Sequence, residues 1–301
     1  MSPAEQPQSA PEELLSVSSV ARRLGVAPAT LRTWARRYGL GPSSHEAGSH
    51  RKYCPSDLAK LTVMRRLISA GVAPADAAEQ AKAHEGEVII EEFISLCREC
   101  DETIDAIYNA ADSLDSLFVE TMLRNEIAEN GIISAWQEVF VPVLIQVGAA
   151  WEKSGKGVEV EHMLTEILTR VLRESTSDIV VPLNSRPVLL ASVGEELHSL
   201  ALHALAAALA ERGIESHFLG ARTPVEALSS MVSRFAPPAV FLWAQLPVNG
   251  NPMFVTDLPA VRPAPRVIIG GPGWNPEKCQ NAHFVGSLAL AVDEIALAVG
   301  A

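Results

Sequence analysis

The chain has 301 residues, which is enough for two or three domains that each bury a core of their own. Nearly half of the residues are apolar and 20% are charged, a composition typical of globular proteins, and the formal net charge is −12. The most apolar stretches, 186–193 and 200–210, are too short or too interrupted to span a bilayer, so no membrane association is expected.

Residues 1–13 predict a disordered tail, because they are rich in Pro, Ser and Ala and acidic. They contain neither a basic start nor an apolar run, so they do not resemble a signal peptide. Four cysteines in a chain without an export signal indicate reduced thiols. The sequence therefore predicts a cytoplasmic protein.

Charge is distributed unevenly along the chain. Residues 14–82 contain eleven Lys and Arg against four Asp and Glu, a balance of +7, which leaves −19 for the remainder. A basic module on an acidic body is the pattern expected when one end of a chain binds a polyanion. An acidic body repels DNA, so we expect DNA binding to be confined to the N-terminal end.

Two short helical patterns around a turn occupy residues 16–38. Gly25 suits the corner between them, and Pro28 suits the first turn of the second helix. Leu31 and Trp34 are expected to face the core. The polar residues left for a DNA groove are Thr30, Arg32, Thr33, Arg36 and Arg37. A Gly/Ser/His-rich segment then predicts a small wing, whose DNA-contacting residues are expected to be Arg51, Lys52 and Tyr53.

Residues 14–82 resemble the winged helix-turn-helix of the MerR family. The resemblance lies in the run LRTWARRYGL, in Gly48-x-x-Arg51-x-Tyr53 and in DLAKL at 57–61. It implies that the predicted domain 14–84 places a recognition helix in the major groove of double-stranded DNA while wing arginines hold phosphates. The alternative is a basic helical bundle with a solvated charged face. MerR-family proteins usually dimerise through one long helix, but here the helical pattern breaks at Gly86.

Residues 87–183 predict a four-helix bundle. Apolar residues recur at three- and four-residue spacing in segments 88–99, 101–110, 113–129 and 132–151, with a further helix at 160–175. Gly155 and Gly157 break this pattern, so Trp151, Glu161 and His162 are expected to line one end of the bundle. Cys97 and Cys100 lack a second cysteine pair, and we interpret them as helix residues rather than metal ligands.

From 186 to 301, apolar strands alternate with amphipathic helices, which predicts a parallel sheet covered on both faces. Ligands of such sheets bind at the carboxyl ends of strands. Glu196 and His198 follow the first strand, Ala244-Gln245-Leu246 follows the third, and Gly270-Gly271 follows the fourth. Paired glycines let a bulky ligand approach the backbone.

Glu-x-His after the first strand and Gly-Gly after the fourth resemble the cobalamin-binding Rossmann-like domain of methionine synthase and the corrinoid mutases. The resemblance implies that His198 binds cobalt and that Glu196 orients its imidazole. Two positions depart from that family. Ala201 stands where Gly is expected beside the nucleotide tail, and Ala244 replaces a Ser whose hydroxyl would hydrogen-bond the tail. Leu246 keeps the family's residue, and a degenerate or repurposed pocket is the alternative.

The order of MerR-type module, helical bundle and cobalamin domain resembles the CarH/LitR photoreceptor regulators. Those proteins carry Trp, nine residues and then Glu-His in the bundle, which is the spacing of Trp151, Glu161 and His162. The resemblance implies that these three residues cover the adenosyl side of cobalamin. It also implies that adenosylcobalamin sets the oligomeric state, a dimer or a tetramer, and that oligomerisation sets DNA affinity. A buried Trp anchoring a helix end, with a capping Glu, is the alternative.

Glu152 departs from the light-switching relatives, in which the residue after that Trp is often a cobalt-capturing histidine. A carboxylate is a weaker ligand for this ion, so light sensing stays open.

We therefore predict a multidomain fold class: a winged helix-turn-helix, a four-helix bundle and an α/β Rossmann-like parallel sheet. The predicted function is that of a repressor rather than an enzyme, with a cobalamin held between the bundle and the sheet domain and a DNA operator as partner. A regulator of the same fold that answers to another small molecule or a protein partner is the alternative. A corrinoid methyl-transfer shuttle is disfavoured by the basic module.

Overall fold

The computed structural model describes residues 14–43, 52–84, 100–176, 179 and 181–301. The predicted tail, the predicted helix 88–99, Arg51 and Cys97 lie outside these residues. Contacts divide the chain into two compact units, residues 1–122 with 143–163 and residues 123–142 with 164–301. The unit boundaries fall inside helices, and the domain bounds expected from the sequence remain a prediction.

The basic N-terminal module combines short helices with a pair of antiparallel strands. Its elements are β1 (Leu15–Ser16), α1 (Val17–Arg23), α2 (Pro28–Tyr38), β2 (Lys52–Tyr53), α3 (Pro55–Ser69) and α4 (Pro74–Ala83). Ser16 caps α1 by accepting a hydrogen bond from the backbone N–H of Ser19 at 3.1 Å. Pro28 begins α2, where its missing N–H has no helical partner to lose. The predicted helix-turn-helix is confirmed.

Helices α5 (Cys100–Asp112) and α6 (Ser116–Ser134) follow, and a buried ion cluster ties α3 to the turn between them. Arg65 and Arg66 of α3 both pair with the carboxylate of Asp115, and the three side chains are at most 10% exposed. Asp115 also accepts the backbone N–H of Phe118 at 3.3 Å, which caps α6. Burial, and then the neighbouring charge of Arg66, lowers the pKa of Arg65 to about 10, so the Arg65 guanidinium stays charged at neutral pH, and burial also lowers the pKa of Arg66.

The helical region continues through a π-helical segment (Ala135–Phe140), α7 (Val141–Ser154) and α8 (Val158–Glu174). The predicted break is present between Ser154 and Val158, where Gly155 and Gly157 have φ of 65° and 103°. The interruption of α6 at Gly131 falls between the predicted helices 113–129 and 132–151, whereas periodicity did not predict the π-helical segment. The backbone N–H of Ile132 after that interruption donates to Glu211 Oε1 at 3.0 Å.

Residues 116–154 form a 39-residue helical run with a window of mean hydropathy 1.5, long and apolar enough to cross a membrane. Core helices of proteins that never enter a membrane meet the same criterion. The run is also interrupted at Gly131. The expectation of no membrane association therefore stays a prediction.

The C-terminal region contains the predicted parallel sheet, and its strand order is β4-β3-β5-β6-β7. Its strands are β3 (Val188–Val193), β4 (Ser216–Thr223), β5 (Ala239–Trp243), β6 (Arg266–Gly270) and β7 (His283–Val285). One face packs on α9 (Leu200–Glu211) and α12 (Leu288–Val299), and the other on α10 (Val225–Phe235) and α11 (Met253–Thr256). Burial on both faces explains why the strands are apolar at nearly every position.

The connectivity creates a topological switch point, and with it a crevice between loops, at the carboxyl edge of the sheet. The chain leaves β3 for β4 on one side and then crosses to β5 on the other side. Loops diverge at such a switch point, which is where open α/β sheets bind ligands. Residues 194–199 after β3 and 244–252 after β5 flank this crevice.

His203 makes this sheet domain sensitive to acid. It is buried in α9 and stacks on Phe218 with ring centroids 4.3 Å apart. Burial, and then the charge of Arg173, lowers its pKa to about 4 from an ordinary 6.5. As pH falls, His203 is therefore protonated in the unfolded chain before it is protonated in the folded chain. The contribution of His203 to the free energy of unfolding is complete above about pH 6.5. It is lost as pH falls toward 4, by up to about 3 kcal/mol.

His203→Phe keeps a stacked ring but cannot be protonated, so this variant is expected to lose less stability than the parent protein between about pH 7 and about pH 4.5. Urea unfolding at both pH values measures the difference. His283→Phe, at an exposed position on β7, is the matched control and should behave like the parent. Equal acid sensitivity of His203→Phe and the parent would contradict the assignment.

Candidate cofactor site and nucleic-acid interface

A buried carboxylate joins the loops after β3 and β5. Glu196 is 0% exposed, and its Oε2 accepts the backbone N–H groups of Gln245 and Leu246 at 2.9 Å and Asn249 Nδ2 at 3.0 Å. Burial by itself raises the pKa of a carboxyl group. The hydrogen bonds from Leu246, Asn249 and His198 outweigh burial and lower the pKa of Glu196 to about 2. Glu196 is therefore ionised at neutral pH.

The other oxygen of Glu196 holds His198. Glu196 Oε1 accepts the backbone N–H of His198 at 3.0 Å and contacts Nδ1 of its ring. Because an ionised carboxylate only accepts hydrogen bonds, Nδ1 carries a hydrogen and Nε2 is the ring nitrogen left for a ligand. The His198 side chain is 58% exposed, so a ligand has access to it. The structure thus brings together the two residues that the Glu-x-His pattern singled out.

A single exposed imidazole suits a restricted class of metal sites. Among the residues that the structure describes, no group of three or more His, Cys, Asp and Glu side chains is placed to hold a metal ion. A bare zinc ion takes three or four ligands from the protein. A metal already coordinated by a macrocycle needs only one axial ligand. The donor set at His198 therefore fits the metal of a macrocyclic cofactor.

Exposed apolar side chains flank His198. Leu197 precedes it, and Leu246 and Val248 lie in the loop after β5 that Glu196 binds. Exposed large apolar side chains that cluster in one place mark a surface covered by a ligand or partner. The predicted site residue Leu246 therefore lies where an apolar macrocycle would contact the protein.

Gly270 and Gly271 are each in close contact with β5 or the loop that follows it. A Cβ at Gly270 would lie 2.6 Å from the ring of Phe241, and one at Gly271, where φ is 100°, would collide with the carbonyl oxygen of Ala244. The methyl of Ala244 is itself buried in the core. These glycines are thus required by packing against β5 and its loop, and their contact with a ligand stays a prediction. Ala201 is half-buried in α9.

The predicted bundle residues lie on either side of the turn at Gly155 and Gly157. Trp151 in α7 is 43% exposed, and Glu161 and His162 in α8 are exposed. The alternative of a buried tryptophan anchoring a helix end is wrong, because the indole is not buried. The contact of these residues with a cofactor remains a prediction.

Helix α2 presents a basic surface. Arg32, Arg36 and Arg37 are exposed, whereas Leu31 and Trp34 are buried as predicted. Thr30 and Thr33 are half-buried, and the Thr33 hydroxyl donates to the Ala29 carbonyl at 3.0 Å.

The two residues of the wing strand β2 differ in exposure. Lys52 is exposed, but Tyr53 is only 2% exposed. The ring of Tyr53 thus packs in the core of the module, which corrects its assignment as a DNA-contacting surface residue. A groove of about 760 Å³ beside α2 is lined in part by Arg32, Arg36, Lys60 and Lys82. Its basic lining favours contact with phosphates.

Arg36→Ala is expected to weaken binding to any duplex, because one phosphate contact is lost. The negative slope of log affinity against log salt concentration should become less steep by about 1. Fluorescence anisotropy with a mixed-sequence duplex across a salt series measures both effects. Arg234→Ala, at an exposed position of α10, is the charge-matched control. An unchanged slope for Arg36→Ala would remove this residue from the interface.

Two domain families match the chain. Residues 15–83 match the family described as MerR HTH family regulatory protein, and residues 103–174 match the B12 binding domain. The second match covers α5 to α8. It therefore reports on the helical region that contains Trp151, Glu161 and His162.

Two curated relatives come from Myxococcus xanthus. The HTH-type transcriptional repressor CarH is 28% identical over 242 residues, which cover 77% of this chain and 79% of CarH. The HTH-type transcriptional repressor CarA is 27% identical over 274 residues, which cover 86% of this chain and 87% of CarA. Both relatives are described as transcriptional repressors.

Among solved structures, the monomethylamine corrinoid protein of Methanosarcina barkeri aligns with a TM-score of 0.48 and 14% identity, over 66% of this chain and 99% of that chain. A TM-score at this level carries no argument about function. The domain matches and the two curated relatives carry the assignment. The chain combines a MerR-type helix-turn-helix with a match to the B12 binding domain and resembles the repressors CarH and CarA over most of its length, which supports a regulator of the CarH type.

Proposed function

We propose that this regulator is a repressor whose oligomeric state and DNA affinity are set by adenosylcobalamin. One observation carries the proposal: His198 is an exposed imidazole whose Nδ1 is held by a buried, ionised carboxylate. A chain with this site and a MerR-type module has both a ligand sensor and a DNA-binding output. The description of CarH and CarA as repressors supports repression rather than activation.

His198 is proposed to bind cobalt through Nε2. Glu196 would keep the imidazole in the required tautomer and raise its basicity. Leu197 and Leu246 would exclude water beside the imidazole. When bound, adenosylcobalamin supplies a cobalt–carbon bond that light can cleave.

Trp151, Glu161 and His162 are proposed to contact the adenosyl side of the cofactor. Their exposure leaves them free to bind a ligand, and their region matches the B12 binding domain. The indole of Trp151 would stack on a flat ring, and the Glu161 carboxylate would accept hydrogen bonds from ribose hydroxyls. Removing the adenosyl group would remove these contacts.

Oligomerisation is proposed to control DNA affinity through multivalency. A single α2 offers only a few exposed arginines to phosphates. Linking two or four modules makes each further binding event intramolecular and raises the total affinity without any new contact. A homo-oligomer, as a dimer or a tetramer, would therefore bind an operator more tightly than a monomer.

The test is an absorbance titration with adenosylcobalamin in the dark, repeated after illumination, with size-exclusion chromatography and DNA binding on the same samples. A cofactor spectrum with histidine ligation, a larger oligomer and tighter DNA binding in the dark support the proposal. Dissociation of the oligomer and weaker DNA binding after illumination support light control, with Glu152 in place of the usual histidine. A DNA affinity that is the same with and without the cofactor, and before and after illumination, would overturn the proposal.

A second candidate is a regulator of the same fold whose pocket has been repurposed. The observation that favours it is the Phe241 ring packed against Gly270, together with the buried methyl of Ala244. This candidate predicts a colourless protein, no spectral change on adding cobalamins and an oligomer that the cofactor does not alter.

A corrinoid methyl-transfer shuttle has no need of the MerR-type module.

A further inference from the structure

We propose that Asn249 is the positioning residue for the axial ligand: it fixes the Glu196 carboxylate, which in turn fixes the tautomer and direction of the His198 imidazole. This inference rests on the proposed function, in which the bare Nε2 of His198 meets cobalt. The Glu-x-His and Gly-Gly patterns assign no role to Asn249.

Asn249 is itself held in place. It is 7% exposed, its backbone N–H donates to the Leu246 carbonyl at 3.0 Å, and its own carbonyl accepts the N–H of Asn251 at 2.8 Å. From this position Nδ2 reaches Glu196 Oε2 at 3.0 Å. The donor therefore stands at a point that the loop backbone determines.

Among the described residues, the other donors to Oε2 of Glu196 are the backbone N–H groups of Gln245 and Leu246. Any residue except proline supplies such a group at those positions. The Asn249 amide is the contribution to Oε2 that depends on a side chain. It is thus the part of this arrangement that a substitution can remove without changing the backbone.

A neutral amide suits this position better than a cation would. The nearby guanidinium of Arg222 pairs with Glu195, and the ion pairs described for Glu196 include only His198. A cation against Glu196 would share the carboxylate's charge and weaken its hold on Nδ1. The Asn249 amide satisfies a buried oxygen while leaving the full negative charge to act on His198, which raises the basicity of Nε2.

Two substitutions separate hydrogen bonding from packing. Asn249→Asp keeps nearly the same shape but replaces the N–H donor with an acceptor facing Glu196. Asn249→Ala removes the donor and leaves a small space. Asn251→Ala is the control: Asn251 is exposed in the same loop, and its side chain accepts only the backbone N–H of Met253 at 3.1 Å.

The first measurement uses the full-length protein without cofactor. Nitrogen-15 NMR of its histidines, at one alkaline pH, reports which ring nitrogen of His198 carries the hydrogen, and His198→Ala identifies the signals. We expect the Nδ1–H tautomer in the parent and in Asn251→Ala, and a mixture of tautomers in both Asn249 variants. An unchanged tautomer in both Asn249 variants overturns the inference.

The second measurement is the dissociation constant for adenosylcobalamin in the dark. Substituting an outer-shell residue of a metal ligand typically costs about 10–100-fold in affinity, and that loss is expected for Asn249→Ala. Asn249→Asp is expected to lose at least as much, because it places like charges together. A smaller loss for Asp than for Ala would indicate packing alone and overturn the inference.

The two failures are distinguishable. If the parent protein does not bind cobalamin, the proposed function fails, while the NMR comparison still decides whether Asn249 positions His198. If the parent binds and neither Asn249 variant changes tautomer or affinity, only the role of Asn249 fails. Thermal unfolding checks that each variant is folded, and Asn249→Ala carries the NMR comparison if Asn249→Asp does not fold.

Discussion

His198→Ala is expected to abolish tight cobalamin binding. The substitution removes the imidazole that presents Nε2, whereas Glu196 and its backbone donors stay in place. The loss should exceed the roughly 10–100-fold that outer-shell substitutions cost, because the axial ligand itself is gone. Absorbance titration in the dark measures the dissociation constant, and the spectrum of any residual complex should lack histidine ligation.

His283→Ala is the matched control, since His283 is an exposed histidine of the same sheet. It should bind the cofactor like the parent. Unchanged affinity of His198→Ala would refute the ligand assignment. Retained DNA binding by His198→Ala without cofactor would show that the N-terminal module is intact and that only sensing is lost.

Asp115→Ala is expected to produce the largest loss of stability. Removing one partner of a buried ion pair typically costs about 3–5 kcal/mol, because the opposite charge stays buried without compensation. Here two buried guanidinium groups, those of Arg65 and Arg66, lose the same carboxylate. The midpoint of the first urea-unfolding transition of the full chain should fall accordingly.

Asp115→Asn separates the two roles of this residue. Asparagine still caps α6 but carries no charge, so it should recover about 1 kcal/mol of the loss seen with alanine. Asp112→Ala, at an exposed position of α5, should stay within about 0.5 kcal/mol of the parent. An Asp115→Ala protein as stable as the parent would show that the ion cluster does not stabilise the fold.

The local sequence pattern was sufficient to predict the secondary structure of the N-terminal module and of the C-terminal sheet. Strands β3, β5 and β6 are buried on both faces, so they occur as continuous apolar runs. Helix α2 carries its own start signal in Pro28 and an unambiguous buried side in Leu31 and Trp34. Glu196 and His198 lie two residues apart, which is why the sequence revealed their pairing.

Contacts between distant residues were not predictable from the sequence. Asn249 lies 53 positions from Glu196, and Asp115 lies 50 positions from Arg65, so no local spacing relates them. The π-helical segment lies inside the predicted helix 132–151, keeps helical periodicity on both sides and left no signal in the apolar pattern. The contacts of Gly270 and Gly271 depend on the β5 register, which one strand's sequence does not specify.

The most direct test of the central claim is the electron paramagnetic resonance spectrum of cob(II)alamin bound to protein whose histidines carry nitrogen-15. Histidine ligation through His198 predicts that the nitrogen splitting of the cobalt lines changes from the pattern of nitrogen-14 to that of nitrogen-15. The change should be absent in His198→Ala and present in His283→Ala. A spectrum that histidine labelling leaves unaltered would contradict the account, because cobalt would then have no histidine ligand.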